Sequence, residues 1–125
     1  MINYQNEGGL MSPVDTMALA YCECARWADD VVIDLDFKDH AHKTCSDFFV
    51  KFPGVCLGFT TEQLEQCGHD LWLTRQGHGV GFWDREDDTF GSSENRIMFN
   101  GYAERLGGFW DFYDNQTIRD EGISQ

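Results

Sequence analysis

The stretch CGHDLWLTRQGHGVGFWDR, residues 67–85, decides the fold that the sequence predicts. Over residues 71–74, and again over residues 80–83, the side chains alternate between two faces with the period of two that is typical of β-strands. Gln76-Gly77 lies between these runs, and its glycine suits the positive φ that a two-residue turn requires. We therefore predict an antiparallel hairpin over residues 69–84.

Four helices are predicted around this hairpin from their start and stop signals. Ser12 followed by Pro13 is a typical helix start, and Thr60 with Gln63 three residues on forms a capping box. Gly68 is interpreted as the left-handed cap of a short helix that ends at Cys67. The four predicted helices cover about residues 12–30, 39–52, 60–67 and 92–107.

The aromatic segment 109–114, FWDFYD, is predicted to add a third strand beside the hairpin. Residues 31–37, VVIDLDF, are predicted to form a short strand or an extended connection. Together these elements predict an α+β fold, with about four helices on a three-stranded antiparallel sheet. The length of 125 residues predicts a single domain over residues 1–125, in which segments 1–11 and 116–125 are loose.

Net charge is the strongest compositional signal, because 22 acidic and 9 basic residues give −13. Such a surface repels nucleic acid and anionic membranes and attracts basic grooves on other proteins. A direct nucleic-acid interaction is therefore not expected. Two acidic segments are the predicted partner-binding surfaces. The predicted partner-binding residues are Asp29, Asp30, Asp34, Asp36, Asp39, Glu86, Asp87 and Asp88.

Catalytic and metal-binding motifs are missing from the sequence: there is no phosphate-binding loop, dinucleotide fingerprint or HExxH helix. The hairpin register brings His69 near Asp84 but places His78 roughly 17 Å away at the turn, too far to share a metal ion. The five cysteines are irregularly spaced without a CxxC motif, so we interpret them as reduced thiols. We predict a protein that is not an enzyme and that uses no metal or cofactor.

The run GHDLWLTRQGHGVGFWDR resembles a segment of small, uncharacterised phage proteins that reads GHDFWLTRNGHGAGFWDRG. The upstream AYCECARWADD is similar to the early helix of that family, and DFYDNQTIR is similar to its closing strand. The resemblance implies a phage origin and an α+β layout, and it supplies no catalytic residues. This chain differs in Gln76, where asparagine is usual, in a longer acidic loop after Arg85, and in more acidic residues around Asp34.

These observations predict a phage accessory protein that acts by binding. Its acidic surface would occupy the basic nucleic-acid-binding groove of a host defence or nucleic-acid-processing enzyme, as a DNA mimic or an anti-CRISPR-like inhibitor does. The sequence contains no apolar run of membrane-spanning length and no signal-peptide pattern, so we expect a soluble protein, a monomer or homodimer, in the host cytoplasm.

Two alternatives stay open at the level of the sequence. One is a structural phage protein that self-associates through Trp72, Trp83 and Trp110. The other is a small metal-dependent enzyme that uses His69, His78, Asp70 or Asp84.

Overall fold

The computed structural model describes residues 11–109, and all the regular secondary structure in that range is helical. No residue between 11 and 109 lies in a β-strand, so the predicted α+β fold with a three-stranded sheet is wrong. The chain instead forms five α-helices and one short 3-10 turn. These are α1 (Pro13–Asp29), α2 (Leu35–Lys51), α3 (Pro53–Cys56), α4 (Thr61–Arg75), the 3-10 turn Phe82–Asp84, and α5 (Ser93–Leu106).

Polar N-caps begin the four longer helices. Ser12, Asp34, Thr60 and Ser92 each accept a hydrogen bond from the backbone amide three residues further on, at 2.8–3.1 Å. Each bond satisfies one of the amides that the first turn of a helix leaves unpaired. The predicted helix starts at Ser12, Thr60 and Ser92 are confirmed.

The second helix starts earlier than the sequence predicted. It begins at Leu35 rather than near residue 39, because Asp34 caps it, with the Phe37 amide 2.8 Å from the carboxylate. Only residues 31–34 of the predicted strand or extended connection remain outside regular structure. The link between α1 and α2 is therefore a tight corner.

The predicted hairpin over residues 69–84 is wrong because its first half continues helix α4. Residues 71–75 are all buried, although they belong to a single helix. A helix that is covered on every side has no polar face, so a few of its residues can resemble an alternating strand. Gly68 does not end a helix at Cys67 either, since α4 runs through it to Arg75.

A glycine-rich turn takes the chain out of α4 and back onto its surface. Gly77, Gly79 and Gly81 have φ values of 72°, 80° and 125°, which favour glycine. A Cβ atom on Gly81 would lie 2.3 Å from the Thr74 hydroxyl oxygen, which itself accepts a hydrogen bond from the Phe82 amide at 3.1 Å. The glycines that suggested a hairpin turn serve instead to fold the 3-10 turn against the end of α4.

Gly68 permits a close contact between α4 and α1. A Cβ atom at this position would lie only 2.2 Å from the Met17 carbonyl oxygen and 3.0 Å from the Ala20 Cβ. The two helices also meet where the Trp72 indole donates to Asp29. α1 is therefore held against α4 both in its first half and at its last residue.

One continuous hydrophobic cluster fills the described part of the chain. At one end, the buried Trp72 meets Tyr21 and Phe37 edge-on, with ring centroids 5.3 and 5.7 Å apart. At the other end, the Phe99 ring lies 4.9–5.5 Å from the rings of Phe48, Phe82 and Phe90. The aromatic side chains supply most of the bulky interior. The largest fully buried side chains of this cluster are Trp72, Tyr21, Phe48, Phe82, Phe90, Phe99, Met17 and Leu71.

The chain ends bear on three further predictions. Phe109 is buried, but residues 110–114 of the predicted third strand lie outside the described range. So do residues 1–10 and the whole of the predicted loose segment 116–125. Among the helices that the structure describes, none is long and apolar enough to cross a membrane.

Candidate protein-binding surface

The corner between α1 and α2 carries most of the predicted acidic surface. Asp30 ends α1 in the left-handed conformation, with a φ of 55°, and Asp34 caps α2. Asp36 follows in the first turn of α2, where a negative charge is favoured by the helix dipole. Asp39 lies one turn further on. All four residues are exposed, and none takes part in an ion pair within residues 11–109.

Asp29 differs from its acidic neighbours because its side chain turns inward. One carboxylate oxygen accepts a hydrogen bond from the Trp72 indole Nε1 at 2.7 Å and lies 2.9 Å from His78 Nε2. Only 19% of the side chain is exposed. This predicted partner-binding residue therefore ties α1 to α4 and to the glycine-rich turn, and it adds little to the outer surface.

Glu86, Asp87 and Asp88 form a second exposed acidic segment between the 3-10 turn and α5. Asp87 pairs with Arg96 at 2.9 Å, and that guanidinium lies 5.7 Å from the centre of the Trp83 ring. Part of the negative charge of this loop is thus neutralised within the protein itself.

The two acidic segments are attached to α4 at different places. The loop that follows Asp88 is bonded near the start of α4, where Gln63 Nε2 donates to the Thr89 carbonyl at 3.1 Å. Arg85, the residue before Glu86, is bonded to Asp70 further along the helix. The corner is bonded near the end of α4, between Asp29 and Trp72. The predicted residues therefore form two acidic patches with separate attachments to α4.

Three exposed apolar side chains stand among the carboxylates of the corner. Trp27 is 79% exposed, and Val32 and Leu35 are each 77% exposed. Trp27 lies one residue before Ala28, off the buried series of α1 that includes Tyr21 and Ala25, and this position on the helix turns it outward.

The residues of the metal-enzyme hypothesis are dispersed in the structure. Asp70 is fully buried and bonded to Arg85, while His78 is bonded to Asp29. Asp84 is exposed and His69 is half-buried. Within residues 11–109, no three histidine, cysteine, aspartate or glutamate side chains gather in a group able to hold a metal ion.

A buried polar network that the sequence did not reveal joins three helices. Arg75 donates to the Tyr21 hydroxyl at 3.1 Å and to the Gly107 carbonyl at 2.8 Å. The Tyr21 hydroxyl also lies 2.8 Å from His40 Nε2. Since its oxygen already accepts from Arg75, the hydroxyl proton is available to a neutral His40. Burial first, and then the charge of Arg75, lower the pKa of His40 to about 4.

The five cysteines are all unpaired and all buried, as the sequence predicted for reduced thiols. Burial raises their pKa values, to about 12 for Cys24 and about 11 for Cys56. A thiol with a raised pKa is a poor nucleophile near neutral pH because little thiolate is present. The thiols therefore act as small apolar packing groups.

The α1–α2 corner thus combines exposed carboxylates with exposed apolar side chains, while the buried Asp70 and Arg75 are held by hydrogen bonds. In comparisons with known proteins, no family model matches the chain, and no curated protein or solved structure shows significant similarity to it.

Proposed function

We propose that this protein is a phage accessory protein that acts by binding, and that its acidic corner occupies the basic nucleic-acid-binding groove of a host enzyme. A defence complex, a nuclease or a polymerase has such a groove. The host cytoplasm is where the two proteins would meet. The observation that carries the proposal is the set of four exposed carboxylates at the α1–α2 corner that form no ion pair with any residue between 11 and 109.

The local charge density supports this proposal. Residues 29–39 contain five aspartates and one lysine, so this stretch of eleven residues carries a net charge of −4. The whole chain carries −13. A domain of this length has a diameter of roughly 35 Å, and duplex DNA of that length carries about 20 charges. The protein therefore approaches the charge of a short duplex, which a basic groove would attract at long range.

The burial and bonding of residues that the two alternative hypotheses invoke support the acidic-corner proposal over both. Trp72, one of three tryptophans in the self-association hypothesis, is fully buried, so it is not available to a second copy. Two of the four candidate residues of the enzyme hypothesis are engaged by other side chains, since Asp70 is bonded to Arg85 and His78 to Asp29. The net charge of −13 also opposes the approach of two identical chains.

A pull-down with charge-neutralised variants tests the proposal. The first variant combines Asp30→Asn, Asp34→Asn, Asp36→Asn and Asp39→Asn; asparagine at position 34 preserves the helix cap. The matched control combines Glu86→Gln, Asp87→Asn and Asp88→Asn in the other patch. Bait proteins are incubated with host lysate at low and high salt, and captured proteins are then offered labelled duplex DNA.

We expect the parent and the control to capture a nucleic-acid-binding protein at low salt and to prevent it from binding the labelled duplex. The corner variant should lose most of this capture, and high salt should weaken capture by the parent, because exposed charges are screened. Equal capture by the corner variant, or a captured protein that still binds DNA, would contradict the proposal.

A further inference from the structure

The corner between α1 and α2 combines two properties that are usually separated on a protein surface. Within nine residues it exposes Trp27, Val32 and Leu35, each by 77% or more, beside the exposed carboxylates of Asp30 and Asp34. Single exposed apolar residues are common, but three that are this strongly exposed within nine residues of chain favour an interaction site. Tryptophan is also among the residues that most often dominate the binding energy of an interface.

Trp83 provides a contrast within the same molecule. It is 68% exposed, but the Arg96 guanidinium lies 5.7 Å from its ring centre and donates to its carbonyl oxygen at 3.2 Å. The surroundings of Trp83 thus include a cation of this chain. No comparable contact to an arginine or lysine is found for Trp27 in the part of the chain that the structure describes.

Charge decides which partner fits the corner. The stretch around it carries a net charge of −4, so a second copy would bring like charges together. An anionic membrane would be repelled in the same way. A groove with lysine or arginine side chains at its rim would complement the aspartates, and an apolar pocket within that groove would accept the exposed side chains.

We infer that Trp27, with Val32 and Leu35, is the apolar anchor by which the acidic corner docks into a basic, partly apolar groove of a partner protein. This inference rests on the proposed function and adds a residue-level mode of attachment to it. The carboxylates attract and orient the partner, and the tryptophan ring fills a pocket once the two surfaces meet. Attachment through Trp27 does not depend on charge, so part of the affinity persists when salt screens the aspartates.

Two synthetic peptides that carry the same lysines serve as the test, so that they differ in their apolar face but not in their charge. In one peptide the apolar face is leucine, and in the other each leucine is replaced by serine. Binding to the parent protein is measured by fluorescence anisotropy of labelled peptide at 50 and 500 mM salt. The variants are Trp27→Ala, its matched control Trp83→Ala, and the triple variant Asp30→Asn, Asp34→Asn, Asp36→Asn, each first shown to be folded by circular dichroism.

We expect the parent to bind the lysine–leucine peptide at least tenfold more tightly than the lysine–serine peptide. Trp27→Ala should remove most of that difference, whereas Trp83→Ala should change affinity less than twofold. The triple variant should lose most of its binding at 50 mM salt and show a weaker salt dependence. In the parent, the Trp27 indole NH signal in a heteronuclear NMR spectrum should move when the lysine–leucine peptide is added.

The outcomes separate this inference from the proposed function. If the aspartate variant loses binding but Trp27→Ala does not, the anchor is refuted and the charge-based proposal stands. If neither variant loses binding, both are refuted. If sedimentation shows that the parent self-associates and that Trp27→Ala abolishes this, the occupant is a second copy and the inference is overturned.

Discussion

The Arg85 guanidinium holds the buried Asp70 carboxylate through two parallel hydrogen bonds of 2.9 Å, from Nε to Oδ2 and from Nη2 to Oδ1. Gln66 Nε2 donates a third bond at 3.0 Å to Oδ1. The pair joins the middle of α4 to the segment that follows the 3-10 turn. Burial raises the pKa of Asp70, and its bonds to Arg85 oppose that rise, so the pair is what keeps a charge tolerable in this interior.

Removing the cation of this pair should destabilise the protein more than removing the anion. Arg85→Met leaves Asp70 fully buried with only Gln66 as a partner, and we expect a loss of about 3–4 kcal/mol in the free energy of unfolding. Asp70→Asn should cost about 1–2 kcal/mol, because the Arg85 side chain is 30% exposed and can reach water. Urea denaturation at pH 7 measures both values.

The exposed pair between Arg96 and Asp87 supplies the control for this comparison. The Asp87 side chain is 73% exposed, so Asp87→Asn should change the free energy of unfolding by no more than about 0.5 kcal/mol. An Arg85→Met protein as stable as the Asp87→Asn protein would show that the buried pair is not a structural tie.

His40 should make stability depend on pH below neutrality. Its pKa of about 4 in the folded protein lies below the ordinary value of 6.5, so the unfolded chain binds more protons between these two pH values. The stabilising contribution is complete above pH 6.5 and is lost as the pH falls toward 4. We expect the free energy of unfolding to fall by about 2 kcal/mol. This is less than the pKa shift alone implies, because the His40 ring is partly open to solvent.

A pair of histidine variants isolates this contribution. His40→Gln should flatten the dependence of the unfolding free energy on pH between 6.5 and 4, whatever its effect on absolute stability. His42→Gln, at an exposed position on the same helix, is the matched control for the loss of a histidine side chain. The measurement is urea denaturation at half-unit pH steps, and identical slopes in the parent and His40→Gln would refute the assignment.

Gly68→Ala should disrupt the contact between α1 and α4. The added Cβ atom would meet the Met17 carbonyl oxygen at 2.2 Å, so the helices must move apart. We expect a loss of at least about 2 kcal/mol, despite the gain of about 1 kcal/mol in helix propensity that alanine brings. Gly101→Ala in α5, whose nearest neighbour is the flexible end of Arg105 at 3.4 Å, should be neutral or stabilising. Thermal unfolding of both variants gives the comparison.

Thr74 should matter through its hydroxyl group more than through its methyl group. Thr74→Val leaves the buried Phe82 amide without its acceptor, and we expect a loss of about 1–3 kcal/mol. Thr74→Ser keeps the acceptor and should cost about 0.8 kcal/mol for the missing methyl group. Faster hydrogen exchange of the Phe82 amide in the valine variant alone would confirm this role, and equal exchange in both would contradict it.

Local signals in the sequence predicted the helix starts, because a cap acts within three residues of itself. Ser12 and Thr60 were identified correctly for this reason, and the last helix, predicted over about residues 92–107, is α5 with its caps at Ser92 and Gly107. Asp34 was missed as a cap because the aspartates around it suggested an acidic surface instead. The cap that it forms became visible only with the backbone geometry of α2.

The local sequence pattern could not show whether residues 69–84 form a hairpin or continue a helix. Whether Leu71 and Trp72 lie in a strand or in a helix covered on all sides depends on what packs against them, which is a tertiary property. Gly68 resembled a helix end for the same reason. Gly68 lets α1 pack closely against α4, and no residue near it in the sequence indicates this packing. The ion pair of Asp70 and Arg85 likewise depends on the turn between them.

The candidate surface was predicted in composition but not in layout. The exposed aspartates of the corner follow directly from the sequence, whereas the inward turn of Asp29 depends on a tryptophan 43 residues away. The outward orientation of Trp27 follows from its place on the helix, but its importance emerges only beside Val32 and Leu35.

The close seating of α1 on α4 at Gly68 has a kinetic consequence for the corner that α1 carries. The Met17 carbonyl packs against Gly68, and the Asp29 carboxylate at the end of α1 accepts a hydrogen bond from the Trp72 indole. The backbone of α1 therefore has little room to rearrange. An incoming protein would meet a shape already assembled, so little ordering would be required when the complex forms. Encounter should then be limited by diffusion and orientation, and differences among partners should appear mainly in how long each complex lasts.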